Sequence, residues 1–187
     1  MIKPLFQNAF FTYYSPRSSL FREAFLLSLF LLAGNAVQRA PYEYRTDPTV
    51  PRFADDRPVV VFDGKCILCS SFAQFLLKKD RDGRFRLLAA QSELGGALYR
   101  HFDLNPVDYE TYVLLQDGKA YFRSEATLRI LAGLGMPWRL LATLGRRVPL
   151  ALSDAVYGVI ARNRLRWFGV RAQCYLPDPS RADRFLS

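Results

Sequence analysis

The amino-acid sequence predicts an α/β fold in the order β-α-β-α-β-β-α, extended at its C-terminal end by further helices. Three observations predict it. A short β-branched apolar run, residues 59–62, stops at Asp63-Gly64 and passes into a segment of helical period. Asp117-Gly118 stands between two short strand-like segments, a strong short-range hairpin signal. Residues 138–168 carry a helical pattern broken at Pro149.

Each element follows from its own residues. Val59, Val60, Val61 and Phe62 are apolar at consecutive positions, as expected of a strand covered on both faces. In residues 70–79, Phe72, Phe75 and Leu76 recur at helical spacing, with Cys69 near the start. Residues 85–90 read as a second strand, 93–102 as a second helix, and 112–116 with 119–122 as the hairpin arms. Ser124 is a candidate N-cap for a helix carrying Ala126, Leu128, Ile130 and Leu131. A βαβ unit followed by a hairpin and a covering helix is a thioredoxin-like core. We assign that core to residues 58–136, a C-terminal helical extension packed on it to 137–187, and an N-terminal leader and extended segment to 1–57.

Composition supports a folded chain. Half of the 187 residues are hydrophobic and 23% are charged, which excludes a disordered polar tract. The formal charge of +9 raises nucleic acid as a partner, and Arg162, Arg164, Arg166 and Arg171 interleave with Trp167 and Phe168. No phosphate loop, RNA-binding aromatic signature or metal-finger spacing accompanies them, so no nucleic acid is expected and the arginines read as a solvated helix end.

Residues 24–34, AFLLSLFLLAG, form an apolar run behind Lys3, Arg17 and Arg22. This is the layout of a signal peptide, too short for a membrane span, although Glu23 abuts it. A cytoplasmic location is expected, with export as the alternative if residues 1–36 act as a signal. Membrane association stays open. The prolines of residues 41–58 predict an extended lead-in, and residues 1 to about 50 are expected to add little to the core.

Three cysteines are too few for a stapled secreted scaffold. Cys66 and Cys69 form a Cys-x-x-Cys pair where a strand gives way to a helix, and positions three apart on a first turn bring two sulfurs within bonding reach. The helix N-terminus favours a thiolate, and Lys65 adds a positive charge beside it. Cys66 is therefore the expected nucleophile. A free cysteine is only about 3% thiolate at neutral pH, so a lowered pKa matters. Cys69, one turn further in, is expected to be more buried and less ionised, as suits a resolving thiol. Asp63 either shapes the turn and caps the helix or relays the Cys69 proton, which requires partial burial. Gly64 serves tight turning or a positive φ. No cofactor is implied, and the partner is a thiol- or disulfide-bearing protein or a small thiol.

The run DGKCILC after VVVF resembles the DCC family of thiol-disulfide oxidoreductases, named for an aspartate and two cysteines in this arrangement. Residues 161–177, ARNRLRWFGVRAQCYLP, resemble the same family's C-terminal region. The likeness spans roughly residues 58 to 179. It implies a thioredoxin-like fold and a redox role for Asp63, Cys66 and Cys69, and little about substrate. Thioredoxins place a cis-proline just before the third strand, whereas here Thr111 holds that corner and the nearest proline is Pro106.

Two rivals use the same residues. A zinc or copper module would enlist Cys66 and Cys69, with Cys174 and the single histidine, His101, completing a Cys₃His set. A second Cys-x-x-Cys half is lacking, and Cys174 reads more simply as a small buried hydrophobe and His101 as a helix-end or surface group. A non-catalytic interaction domain would instead dock through the basic, aromatic C-terminal region.

Overall fold

The structure, a computed structural model, describes residues 39–175 and 179–186. The apolar run of residues 24–34 lies outside the described residues. The elements are β1 (Val59–Phe62), α1 (Ile67–Lys79), β2 (Arg86–Ala89), α2 (Glu93–His101), β3 (Val113–Gln116), β4 (Lys119–Phe122), α3 (Arg123–Gly133), α4 (Trp138–Gly145), α5 (Leu150–Phe168) and β5 (Phe185–Leu186). The sheet order is β4-β3-β1-β2-β5. Strand β1 runs parallel to β2 and antiparallel to β3, and β3 pairs antiparallel with β4.

The central strand is buried on both faces because its side chains alternate between two cores. Val59 and Val61 join Leu88, Leu98, Tyr99, Phe102 and Val113 on one face. Val60 and Phe62 join Ala73, Leu76, Leu87, Leu114 and Ile130 on the other, under α1 and α3. A strand whose every residue is apolar can satisfy both layers at once. This is a thioredoxin-like α/β architecture with a C-terminal helical segment.

Local chemistry sets the turns. Asp117 (φ 51°) and Gly118 (φ 74°) both adopt left-handed backbone, the pattern of a type I′ hairpin. Ser92 caps α2 by accepting from the Gly95 N–H at 3.1 Å. Asp80 ends α1 and accepts from the N–H groups of Arg84 (3.1 Å) and Phe85 (2.8 Å), steering the chain into β2. Arg184 reaches back to the same buried carboxylate.

Four expectations need correction. Helix α1 begins at Ile67 rather than Ser70, because the Cys66 sulfur caps it one turn earlier. Ser124 does not cap α3, which starts at Arg123. Its N–H and hydroxyl instead donate to Asp154 of α5, so the cap comes from a distant helix. The lead-in is not idle: Tyr44 and Val50 are buried in the first core with Phe53 packed against it. Beyond the helices of the C-terminal extension, β5 adds a fifth strand parallel to β2, which the expected element order did not include. Among the described residues the cis peptide is Met136–Pro137, between α3 and α4, and none precedes β3.

Candidate functional site

The loop between β1 and α1 carries Asp63, Gly64, Lys65 and Cys66. Cys66 is the N-cap of α1, and its sulfur accepts from the Cys69 N–H at 3.3 Å. A sulfur there sits among unpaired N–H groups at the positive end of the helix, which stabilises its anion. All three cysteines are free thiols. The Cys66 thiol is pulled down to about 6 by hydrogen bonds from the Cys69 side chain and backbone, aided by the Arg164 charge and opposed by burial and Asp63. The Cys69 thiol is pushed well above the ordinary range, because it donates to the Cys66 sulfur and is buried. The two thiols are thus split in the direction expected of an attacking and a resolving sulfur.

Both cysteines are closed to solvent, and Cys69 lies the deeper of the two, as expected. Cys66 itself is 0% exposed. The chain that follows α5 lies along its backbone. Val170 pairs antiparallel with Cys66, and the Arg171 N–H donates to the Lys65 carbonyl at 2.8 Å.

Asp63 is buried and multiply engaged. Its Oδ1 accepts from the N–H groups of Lys65 (2.9 Å) and Cys66 (3.3 Å) and from Gln91 Nε2 (2.6 Å). Its Oδ2 faces Arg164 Nη2 at 3.3 Å. The carboxylate therefore shapes the turn, as one reading expected, from a buried position. A cavity of about 50 Å³ has Asp63, Cys69, Tyr112, Tyr157 and Arg164 in its walls.

Sequence reasoning missed two residues here. Arg164 was read as part of a solvated basic helix end, yet it is 4% exposed and donates to Asp63, to the Ala161 carbonyl at 2.7 Å and to the Asp108 carbonyl. Its neighbour in that basic run, Arg171, donates to Ser70 Oγ at 2.7 Å. Gln91, just past β2, links the Gly64 N–H (3.0 Å) to Asp63. Only the arginine spacing hinted at Arg164, and spacing does not reveal which face turns inward.

Gly64 needs correction as well. It is not among the residues of positive φ. Its role is close approach: a Cβ there would lie 2.2 Å from the Cys174 sulfur. Cys174 is half-buried, donates to Gln91 Oε1 at 3.7 Å, and is raised in pKa by burial. His101, expected at a helix end or on the surface, is at the end of α2 but buried, with Nδ1 2.6 Å from Asp47 Oδ2. Among the described residues no three His, Cys, Asp or Glu side chains gather where one ion could be held, so the Cys₃His set is not assembled. Thr111 lies just before β3, where its carbonyl accepts from the Tyr99 hydroxyl. The adjacent Tyr112 offers its hydroxyl to the Cys69 carbonyl at 2.8 Å and its N–H to the Tyr157 hydroxyl at 3.0 Å.

A thioredoxin-like sheet with a Cys-x-x-Cys pair capping the helix after its central strand defines a class of thiol-redox proteins. Residues 60–170 match the DCC1-like thiol-disulfide oxidoreductase family, and the chain belongs to that family. It is 40% identical over 128 residues to the uncharacterized protein YuxK of Bacillus subtilis (strain 168), covering 68% of this chain and 93% of that protein. It is 35% identical over 122 residues to the DCC family protein At1g52590, chloroplastic, of Arabidopsis thaliana, covering 65% of this chain and 71% of that one. No solved structure matches. Membership supports a general thiol-disulfide redox role acting on thiol-containing substrates. Among the described residues no helix is long and apolar enough to cross a membrane.

Proposed function

We propose that the protein exchanges a Cys66–Cys69 dithiol for the disulfide of a protein or small-thiol partner. The observation that carries this reading is the Cys66 sulfur capping α1 at 3.3 Å from the Cys69 N–H. The Cys66 thiolate attacks one sulfur of the partner disulfide, forming a mixed disulfide and expelling the other sulfur as a thiolate. Cys69 then loses its proton and attacks the Cys66 sulfur, closing the internal disulfide and releasing the second partner thiolate. The partner gains two electrons and the protein loses two, and two equivalents of an external thiol, oxidised to their own disulfide, restore the dithiol. In this scheme Asp63, which lines the same cavity as Cys69, takes the Cys69 proton. The sulfurs themselves carry the electrons, so the scheme needs no added cofactor.

In this scheme residues 58–136 supply the redox core and residues 137–187 supply its clamp through Arg164. A cytoplasmic setting suits it, because few cysteines and a reversible dithiol fit a reducing compartment. Titration of the pair against glutathione tests the reading, together with trapping: Cys69→Ser retains the attacking thiol and accumulates a mixed disulfide, while Cys66→Ser accumulates none. A pair that never closes, with no adduct in either variant, overturns it.

A further inference from the structure

Cys66 has no solvent exposure, and the backbone on either side of it pairs with the chain that follows α5. Gly169, at φ 87°, ends α5 in a conformation that favours glycine and turns the chain back over the loop. Val170 then sits opposite Cys66 as in an antiparallel ladder. The Arg171 N–H donates to the Lys65 carbonyl at 2.8 Å and the Ile67 N–H to the Gly169 carbonyl at 3.4 Å. Further along, the Tyr175 N–H donates to the Gly64 carbonyl at 2.9 Å.

This strap has little side-chain anchorage where it crosses the sulfur. Val170 is 55% exposed, so its side chain is not what holds the segment down. The tether beside it is Arg171 Nε on Ser70 Oγ at 2.7 Å. Backbone pairing of this kind is indifferent to sequence, and any extended polypeptide offers the same donor and acceptor. A second backbone donor beside the pair, the Tyr112 N–H, is already taken by the Tyr157 hydroxyl.

Resting on the exchange reading above, we propose that the backbone of residues 65–67 is the docking edge for an extended, cysteine-bearing polypeptide, and that residues 169–171 occupy it as an internal stand-in. Substrate docking and uncovering of Cys66 are then one exchange of strands. The favoured partner is a protein segment able to lie extended, rather than a small thiol. A partner sulfur opposite Cys66 takes the place that Val170 now holds.

The test uses the full chain. Arg171→Pro deletes the N–H on Lys65 and the tether, while Arg171→Met removes the tether and keeps the N–H. Labelling of Cys66 by iodoacetamide at fixed pH should accelerate about fivefold or more in Arg171→Pro, the loss expected for two hydrogen bonds holding a local closure, and by less in Arg171→Met. A synthetic extended peptide bearing a central cysteine as its 2-thiopyridyl disulfide should gain more than iodoacetamide does. That probe balances in one step, as the Cys66 thiolate bonds to the peptide sulfur and pyridine-2-thiolate leaves. N-methylating the residues that flank the peptide cysteine should abolish the extra gain. Equal labelling of wild type and both variants, or equal reaction of methylated and plain peptide, overturns the proposal. If Arg171→Pro does not fold, Arg171→Met carries both comparisons. These arms need only the Cys66 thiolate, so their failure is distinct from failure of the pair to cycle against glutathione.

Discussion

Arg164 Nη2 lies 3.3 Å from Asp63 Oδ2 across 101 positions of sequence, and both side chains are almost closed to solvent. Buried ions persist only when paired and hydrogen-bonded. Here the carboxylate also organises the Lys65 and Cys66 amides, so α5 holds the redox loop through one charge pair.

Breaking that pair should weaken the fold and shift the thiol in opposite directions according to which partner is lost. Arg164→Met leaves Asp63 uncompensated and should cost about 3–5 kcal/mol in urea unfolding. It should also raise the pH midpoint of Cys66 alkylation, since the Arg164 charge favours the thiolate. Asp63→Asn should lower that midpoint, because the carboxylate opposes the thiolate, and should also reduce stability by stranding Arg164. If the carboxylate serves Cys69, the same variant slows release of the mixed disulfide more than its formation. A change in stability alone would leave Asp63 a turn residue.

The pH dependence has a definite sign. Cys66 has a folded value lowered to about 6 from an ordinary 9, so between those limits the unfolded chain binds the extra proton. Its contribution to stability is present in full above pH 9 and is lost as pH falls through about 6. Cys69 acts in the opposite sense, its raised value withdrawing stability as pH climbs past the ordinary thiol range. Comparing wild type with Cys66→Ser in chemical unfolding from pH 5.5 to 9 should reveal a difference that grows with pH. Alkylation of the reduced protein near pH 6 should mark Cys66 before Cys69.

Gly95 should tolerate no side chain. A Cβ there would lie 2.2 Å from the Ala89 carbonyl oxygen, which is strand backbone and cannot rotate away. Gly95→Ala should therefore destabilise by about 1–3 kcal/mol even though alanine is the better helix former. Thermal melting against a Gly96→Ala control checks this, because the nearest neighbour there is the flexible end of Arg100 at 3.4 Å.

Removal of residues 1–54 should be costly. Such a truncation strips Tyr44 and Val50 from the first core and Asp47 from the buried His101. Tyr44→Ala alone should lose about 3–5 kcal/mol, the range for a large buried aromatic. An unchanged melting temperature in the truncated chain would show that the lead-in is dispensable after all.

The features legible in the residues alone are local. An apolar strand ending in Asp63-Gly64, a Cys-x-x-Cys pair on the next turn, and Asp117-Gly118 between two strands each declare themselves within a few residues, because propensity, period and turn chemistry act at that range. The order of elements, and so the thioredoxin-like core, followed from them. Which distant groups complete the site was settled by packing. Arg164 turned inward to Asp63, Asp154 took over the cap expected of Ser124, Val170 paired with Cys66, and Tyr44 entered the core. The pattern of a helix end or a proline-rich lead-in is the same whether its face meets solvent or a buried partner. Burial is settled by what packs against a residue, and for these residues that partner lies tens of positions away along the chain.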